Sequence, residues 1–169
     1  MKLRTLERDK TEKPTFRLKK ILVPIDFSPA SENAFKYALH CAGKLSAELT
    51  LLHVLVPAVS PSFAGISGAP AGAPAFSKTG LSSAEKKLGA LIASTRNGSV
   101  SRFRSATRTG VPSHEIVEMA KEADIDLIVI ASHGNTSWKH FCIGTTAERV
   151  VCAAPCPVLV VREKEHEFS

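Results

Sequence analysis

The sequence predicts an α/β protein: a single open five-stranded parallel sheet with helices on both faces. Short apolar runs without polar alternation recur along the chain, as in strands buried on both sides. Between them lie segments whose apolar residues return at helical spacing. The two kinds follow each other as β-α-β-α-β-α-β-α-β, which right-handed crossovers close into a sheet covered on both faces.

The first run, Ile21-Leu22-Val23-Pro24-Ile25, stops at Asp26 and reads as a buried strand. Ser28 followed by Pro29 signals a helix start, a side-chain cap and then a proline where no amide hydrogen is missed. Ala34, Ala38, Cys41, Ala42 and Leu45 would face the core from that helix. The second strand is Leu49 to Val56. Residues 57–80 hold Pro57, Pro61, Pro70 and Pro74 with Gly65, Gly68, Gly72 and Gly80, and predict a long mobile loop. Helical order resumes with Leu81, Ala84, Leu88, Leu91 and Ile92.

Val100 to Thr107 reads as a strand with Arg102, Arg104 and Arg108 along one side, a pattern suited to a sheet edge. Pro112 opens a helix that turns Ile116, Val117 and Ala120 inward. Asp126 to Ala131 predicts an interior strand, followed by a loop over 132–143 and a helix from about Thr146. Pro157 to Arg162 supplies the last strand.

With 169 residues, 44% of them hydrophobic and 22% charged, the chain suits one domain with a real core. The domain is expected over 19–169, after a basic flexible leader, 1–18. Much of the excess behind the formal net charge of +6 sits in the first twenty residues, where Lys2, Arg4, Arg8, Lys10, Lys13, Arg17, Lys19 and Lys20 outnumber Glu7, Asp9 and Glu12, a solvated leader rather than a nucleic-acid face. The leader has no apolar h-region, and no run approaches the roughly 20 apolar residues that span a bilayer. A cytoplasmic protein without a membrane segment is the expectation. Cys41, Cys142, Cys152 and Cys156 then read as buried reduced thiols; Cys152 and Cys156 have four-residue spacing but no partner His or Cys at metal-ligand distance to make a zinc site.

Ligands of open α/β sheets bind beyond the carboxyl ends of strands, where strand order reverses. Two segments qualify: Pro24-Ile25-Asp26, and Ala131-Ser132-His133-Gly134 with its continuation to Gly144-Thr145-Thr146. Glycines admit an anion close to the backbone, and a helix starting near Thr145 would aim its amides and positive dipole end at a phosphate. Hydroxyls of Thr145 and Thr146 can add hydrogen bonds. Asp26 suits a ribose hydroxyl or a magnesium ion. A ligand-free account also exists: Thr145-Thr146-Ala147-Glu148 forms a capping box with Thr145 as cap. His133 lacks an evident partnered nucleophile and reads as a polar lining residue, so no catalytic residue is assigned. Trp138 suits either a partner contact or packing on its own sheet, and Lys139 and His140 read as solvated loop charge.

From about Lys19 to Arg162 the chain resembles the universal stress protein family. The resemblance is carried by Ile21 to Ser28, Leu51-Leu52-His53-Val54, Gly110-Val111-Pro112, Asp126 to Gly134, and Ala154 to Val161. It implies a Rossmann-like fold of the adenine nucleotide alpha hydrolase-like type, and a homodimer joined through the last strand. The family's ATP-binding branch shows Gly, two residues, Gly, nine residues, then Gly followed by Ser or Thr. Here Gly134, Gly144 and Thr145 match, while Ala131 replaces the first glycine and Asn135 stands where the family often has Arg.

By this resemblance Pro24, Ile25, Asp26 and Val54 would line the adenine and ribose end. Ala131, Gly134, Gly144, Thr145 and Thr146 would surround ribose and phosphates, with His133 beside them. The implied function is binding of ATP, or AMP or ADP, with Mg and with slow hydrolysis at most, in stress response or signalling. The alternative, favoured by Ala131, is a nucleotide-free dimeric interaction module. An adenylating or ATP-pyrophosphatase-like enzyme is disfavoured, because Asp26-Phe27-Ser28-Pro29 is no glycine-rich loop and no Walker-type phosphate loop is present. DNA binding rests on the leader alone and ranks last.

Overall fold

The structure, a computed structural model, describes residues 18–56, 78–95, 100, 102–134 and 143–162. Residues 1–17 of the expected leader and 57–77 of the expected loop lie outside the described residues, as do Asn135, Trp138, Lys139, His140 and Cys142.

Five parallel strands and four helices alternate as β1 (Lys20–Pro24), α1 (Pro29–Leu45), β2 (Glu48–Leu55), α2 (Lys78–Ser94), β3 (Phe103–Thr109), α3 (Pro112–Glu122), β4 (Leu127–Ala131), α4 (Thr145–Ala153) and β5 (Val158–Val161). The strands lie in the order β3-β2-β1-β4-β5. From β1 the chain steps outward through β2 to β3, then returns to the other side of β1 for β4 and β5. Strand order therefore reverses between β1 and β4.

Both faces of the interior strands are covered, which explains their continuous apolar sequence. Ile21, Val23, Leu49, Leu51 and Val129 pack against Ala34, Phe35, Ala38 and Ala42 of α1 and Leu88 of α2. The alternate residues Leu22, Leu52, Ile128 and Ile130 meet Ile116 and Ala120 of α3 and Ala147 and Val150 of α4. Small residues on α1 let that helix approach the sheet closely. Its start follows the expected chemistry: Ser28 is the cap, its hydroxyl accepts from Ser31 N, and proline occupies the first turn.

β3 is an edge strand, as its arginines implied, paired with β2 from Leu49↔Phe103 to Leu55↔Thr109. That register ends it two residues beyond the expected Thr107. Arg104 reaches across to Glu48 at 2.6 Å. Arg108, on the same face, meets Glu122 and Glu115 of α3, which raise its pKa further. At the amino end of the sheet Asp126, expected inside a strand, lies just before β4 instead. Its Oδ2 accepts from Lys19 N at 2.8 Å and Lys20 N at 2.9 Å, tying the start of β1 to the entry of β4.

Three further expectations of the fold need correction. The predicted loop 57–80 overruns α2, which already includes Gly80; in a first turn, where amides lack intrahelical acceptors anyway, glycine is cheap. Leu45 does not face the core but is 46% exposed, because α1 ends there and Ser46 turns left-handed (φ 54°). None of the described thiols is fully buried: Cys152 is exposed on α4, and Cys41 and Cys156 are half-buried. Burial and the nearby Asp126 charge push the Cys156 thiol up. Among the described residues no helix is long and apolar enough to cross a membrane.

These positions predict opposite outcomes for two leucines. Leu51→Ala, at 0% exposure in the sheet interior, should cost about 2–5 kcal/mol in urea unfolding. Leu45→Ala should stay within about 0.5 kcal/mol of the parent protein.

Candidate functional site

The strand-order reversal leaves a crevice at the carboxyl ends of β1 and β4. β1 ends at Pro24, and Ile25 N still donates to Leu52 O at 2.8 Å, which keeps the chain on the sheet up to Asp26. The turn into α1 passes through Phe27 in a left-handed conformation (φ 61°). Asp26 Oδ1 accepts from Ser28 N at 3.0 Å and from the Ser28 hydroxyl at 2.5 Å. The same serine oxygen accepts from Ser31 N at 3.1 Å. One hydroxyl thus caps α1 and holds the carboxylate.

On the β4 side, Ser132 N donates to Val161 O and Gly144 N donates to Ser132 O, both at 2.8 Å. The first ties the end of β4 to β5, and the second brings Ser132 and Gly144 together. The cap of α4 is Gly144, with no side-chain cap bond, and the helix begins at Thr145. The expected capping box with Thr145 as cap is therefore not formed, and the helix starts one residue before the expected Thr146. The bond from Gly144 N to Ser132 O fixes the turn so that Gly144 takes the cap position. Its carbonyl accepts from Glu148 N at 3.0 Å, while Thr145, Thr146 and Ala147 occupy the first turn, whose amides have no intrahelical acceptor.

The strand ends meet at Gly134. A Cβ there would overlap Asp26 Oδ2, so only a residue without a side chain lets the two segments approach this closely. His133 is half-buried beside them, its Nδ1 2.9 Å from the Ser132 hydroxyl. Its Nε2 is buried with no hydrogen-bond partner among the described residues.

Together these elements enclose a cavity of about 590 Å³. Its lining includes Pro24, Ile25, Asp26, Val54, Ala131, His133, Gly134, Gly144, Thr145 and Thr146, every candidate site residue named from the sequence. It also includes residues the sequence reasoning left out: Ser31, Leu52, Val56, Pro112, Ile116, Ile130, Ser132, Ile143 and Ala147. Ser132 and Ile143 adjoin named positions and were within reach. Pro112 and Ile116 come from α3, and only the sheet order brings them to the opposite wall. Asp26 and His133 are the only ionisable side chains among the described lining residues. No arginine or lysine is among them, so positive potential on this wall comes from the first turn of α4.

A model of the universal stress protein family matches residues 17–162. The chain belongs to this family. Among curated universal stress proteins, MJ0531 of Methanocaldococcus jannaschii is 34% identical over 149 residues, covering 88% of this chain and 85% of that protein. Among solved structures, universal stress protein UspA from Lactobacillus plantarum is similar with a TM-score of 0.71 at 31% identity, covering 86% of this chain and 99% of that one. The same fold occurs in a universal stress protein in complex with cAMP, with a TM-score of 0.64 at 18% identity and coverage of 86% and 98%. It also occurs in the Archaeoglobus fulgidus universal stress protein in complex with dAMP, with a TM-score of 0.62 at 20% identity and coverage of 85% and 98%. The Rossmann-like architecture of this universal stress protein is thus shared over nearly its whole described length.

The contact at Gly134 yields a test of the geometry without any ligand. Gly134→Ala should displace the Asp26 carboxylate rather than unfold the chain, at a cost of about 1 kcal/mol. Adding Asp26→Ala should recover most of that loss, and urea unfolding of the four proteins in the cycle measures it.

Proposed function

We propose that this universal stress protein binds an adenine nucleotide, ATP with Mg²⁺, in the cavity at the strand-order reversal, and acts in stress response or signalling as a homodimer. The observation that carries the proposal is that Asp26 and the α4 first turn line one largely apolar cavity. The bound nucleotides named for the two solved relatives support it.

In this reading Pro24, Ile25 and Val54 line the base and ribose end, where apolar walls favour a planar ring. The Asp26 carboxylate takes a ribose hydroxyl or the magnesium ion. Ala131, His133 and Gly134 border the ribose and first phosphate, and Gly144, Thr145 and Thr146 receive the phosphates on backbone amides and hydroxyls. Magnesium fits this set: one carboxylate with phosphate oxygens and water satisfies an ion that dehydrates reluctantly. Bound there, it would offset phosphate charge on a wall without basic side chains. No residue is assigned a catalytic role, and hydrolysis is slow at most. Cytoplasmic location belongs to the same reading, since the nucleotide pool lies there.

The homodimer would join through β5. This edge strand is only four residues long and mostly apolar, and its Leu159 is 39% exposed. Val151 of α4 is exposed at 47% as well. A bare apolar edge invites pairing with another copy.

The second reading, a nucleotide-free interaction module, is favoured by one feature, the methyl group of Ala131 on the cavity wall. Titration calorimetry with Mg-ATP, AMP and cAMP separates the two. The proposal expects saturable binding, weakened at least about tenfold by Gly134→Asp. A folded protein that takes up none of the three supports the module. The dimer is tested independently: Leu159→Lys should shift the mass measured by light scattering to that of a monomer, with the melting profile cooperative.

A further inference from the structure

We infer that His53 and Phe27 are positioning residues for Asp26, setting its carboxylate from the opposite face of the sheet. The inference rests on the nucleotide reading for its functional consequence, but its geometry stands apart from any ligand.

Phe27 directly follows Asp26 and has φ 61°. A bulky L-residue disfavours the left-handed region, so the surroundings must hold it there. Its ring packs on the His53 imidazole, with centroids 4.6 Å apart and planes at 41°. The Lys87 ammonium from α2 stands 5.1 Å from the centroid of the same ring, a cation–π arrangement. These contacts offset the backbone strain.

The imidazole makes a second contact. His53 Nδ1 lies 2.7 Å from Ile25 O. A carbonyl only accepts, so Nδ1 carries the proton, which fixes the tautomer of the neutral ring. One side chain of β2 therefore grips the backbone of residue 25 and the side chain of residue 27. Asp26 lies between these two points.

The grip comes from outside the cavity. Along β2, Leu49 and Leu51 belong to the core cluster beneath α1 and α2, and His53 continues that set by strand alternation. Leu52 and Val54 point the other way and line the cavity. The carboxylate is thus held on the cavity side by the Ser28 hydroxyl, while the residues before and after it are held behind the sheet by an imidazole that does not line the cavity. A packing-filler role for His53 would explain its partial burial. It would not explain a hydrogen bond to the residue before the acid together with a ring contact to the residue after it.

The test combines a double-mutant cycle with a ligand-free signal. Phe27→Gly suits the left-handed backbone and so spares the fold while removing the ring. His53→Leu removes the bond to Ile25. With ATP, Asp26→Ala should weaken binding about tenfold and each positioning variant about threefold or more. Either one combined with Asp26→Ala should bind within about twofold of Asp26→Ala alone, because a misplaced carboxylate has nothing left to lose. Additive losses overturn the inference, as does an Asp26→Ala variant that binds like the parent. In the absence of nucleotide, the carboxyl carbon resonance of Asp26 should move in both positioning variants, and nitrogen shifts should report an Nδ1-protonated His53. An unmoved Asp26 resonance overturns the inference. A parent protein that takes up no ATP overturns the nucleotide reading instead, and the resonance measurement then decides the positioning alone.

Discussion

Everything at the candidate site depends on β1 being paired in parallel on both sides. β2 holds one edge of it from Lys20↔Glu48 to Pro24↔Leu52, and β4 holds the other through Ile21↔Leu127 and Leu22↔Ile128. Parallel neighbours must be reached by crossovers, so the helices that cover β1 are the same segments that connect its partners. Because the chain leaves β1 in one direction and comes back on the other side, the loops above β1 and β4 diverge. The crevice between them is a consequence of chain tracing, and the side chains only furnish it.

Those furnishings divide by charge. The lining carries an acid, Asp26, anchored by neutral donors, and the first turn of a helix with a glycine cap, whose one acid is Glu148. An acid placed at that cap would satisfy the orphan amides internally and compete with any anionic ligand. Gly144 leaves them available. The polar features are few, and most of the cavity surface is aliphatic, the usual balance of a site that holds a flat organic group and orients it by a few contacts.

Much of this was legible in the residues. Strands buried on both faces announce themselves as apolar runs, so β1, β2, β4 and β5 were found within one or two residues of their ends. The arginines marked β3 as an edge. Ser28-Pro29 located α1 to the residue, since cap chemistry is local. The failures were of two physical kinds. Local rules with two solutions were decided by distant contacts: Thr145 can cap a helix, yet the pairing of Gly144 N with Ser132 O moves the cap back by one. Positions set by topology had no local signal at all. Pro112 and Ile116 line the cavity because α3 lies across from β1, and nothing in their own neighbourhood says so. His53 was noted only within the Leu51-Leu52-His53-Val54 stretch that carries the resemblance; its two contacts to the turn after β1 require the strands to be in register.

Ser28 illustrates how a fold narrows the choice of residues. As a helix cap alone it has several near-equals, aspartate among them. Here the cap atom must accept from Ser31 N and also donate to Asp26 Oδ1. An ionised aspartate accepts only, and it would set a second negative charge against the first. A single-atom group that gives and takes at once has to be a hydroxyl. The position therefore belongs to serine or threonine for a reason that neither the helix nor the carboxylate imposes by itself, and two weak preferences become one strict requirement.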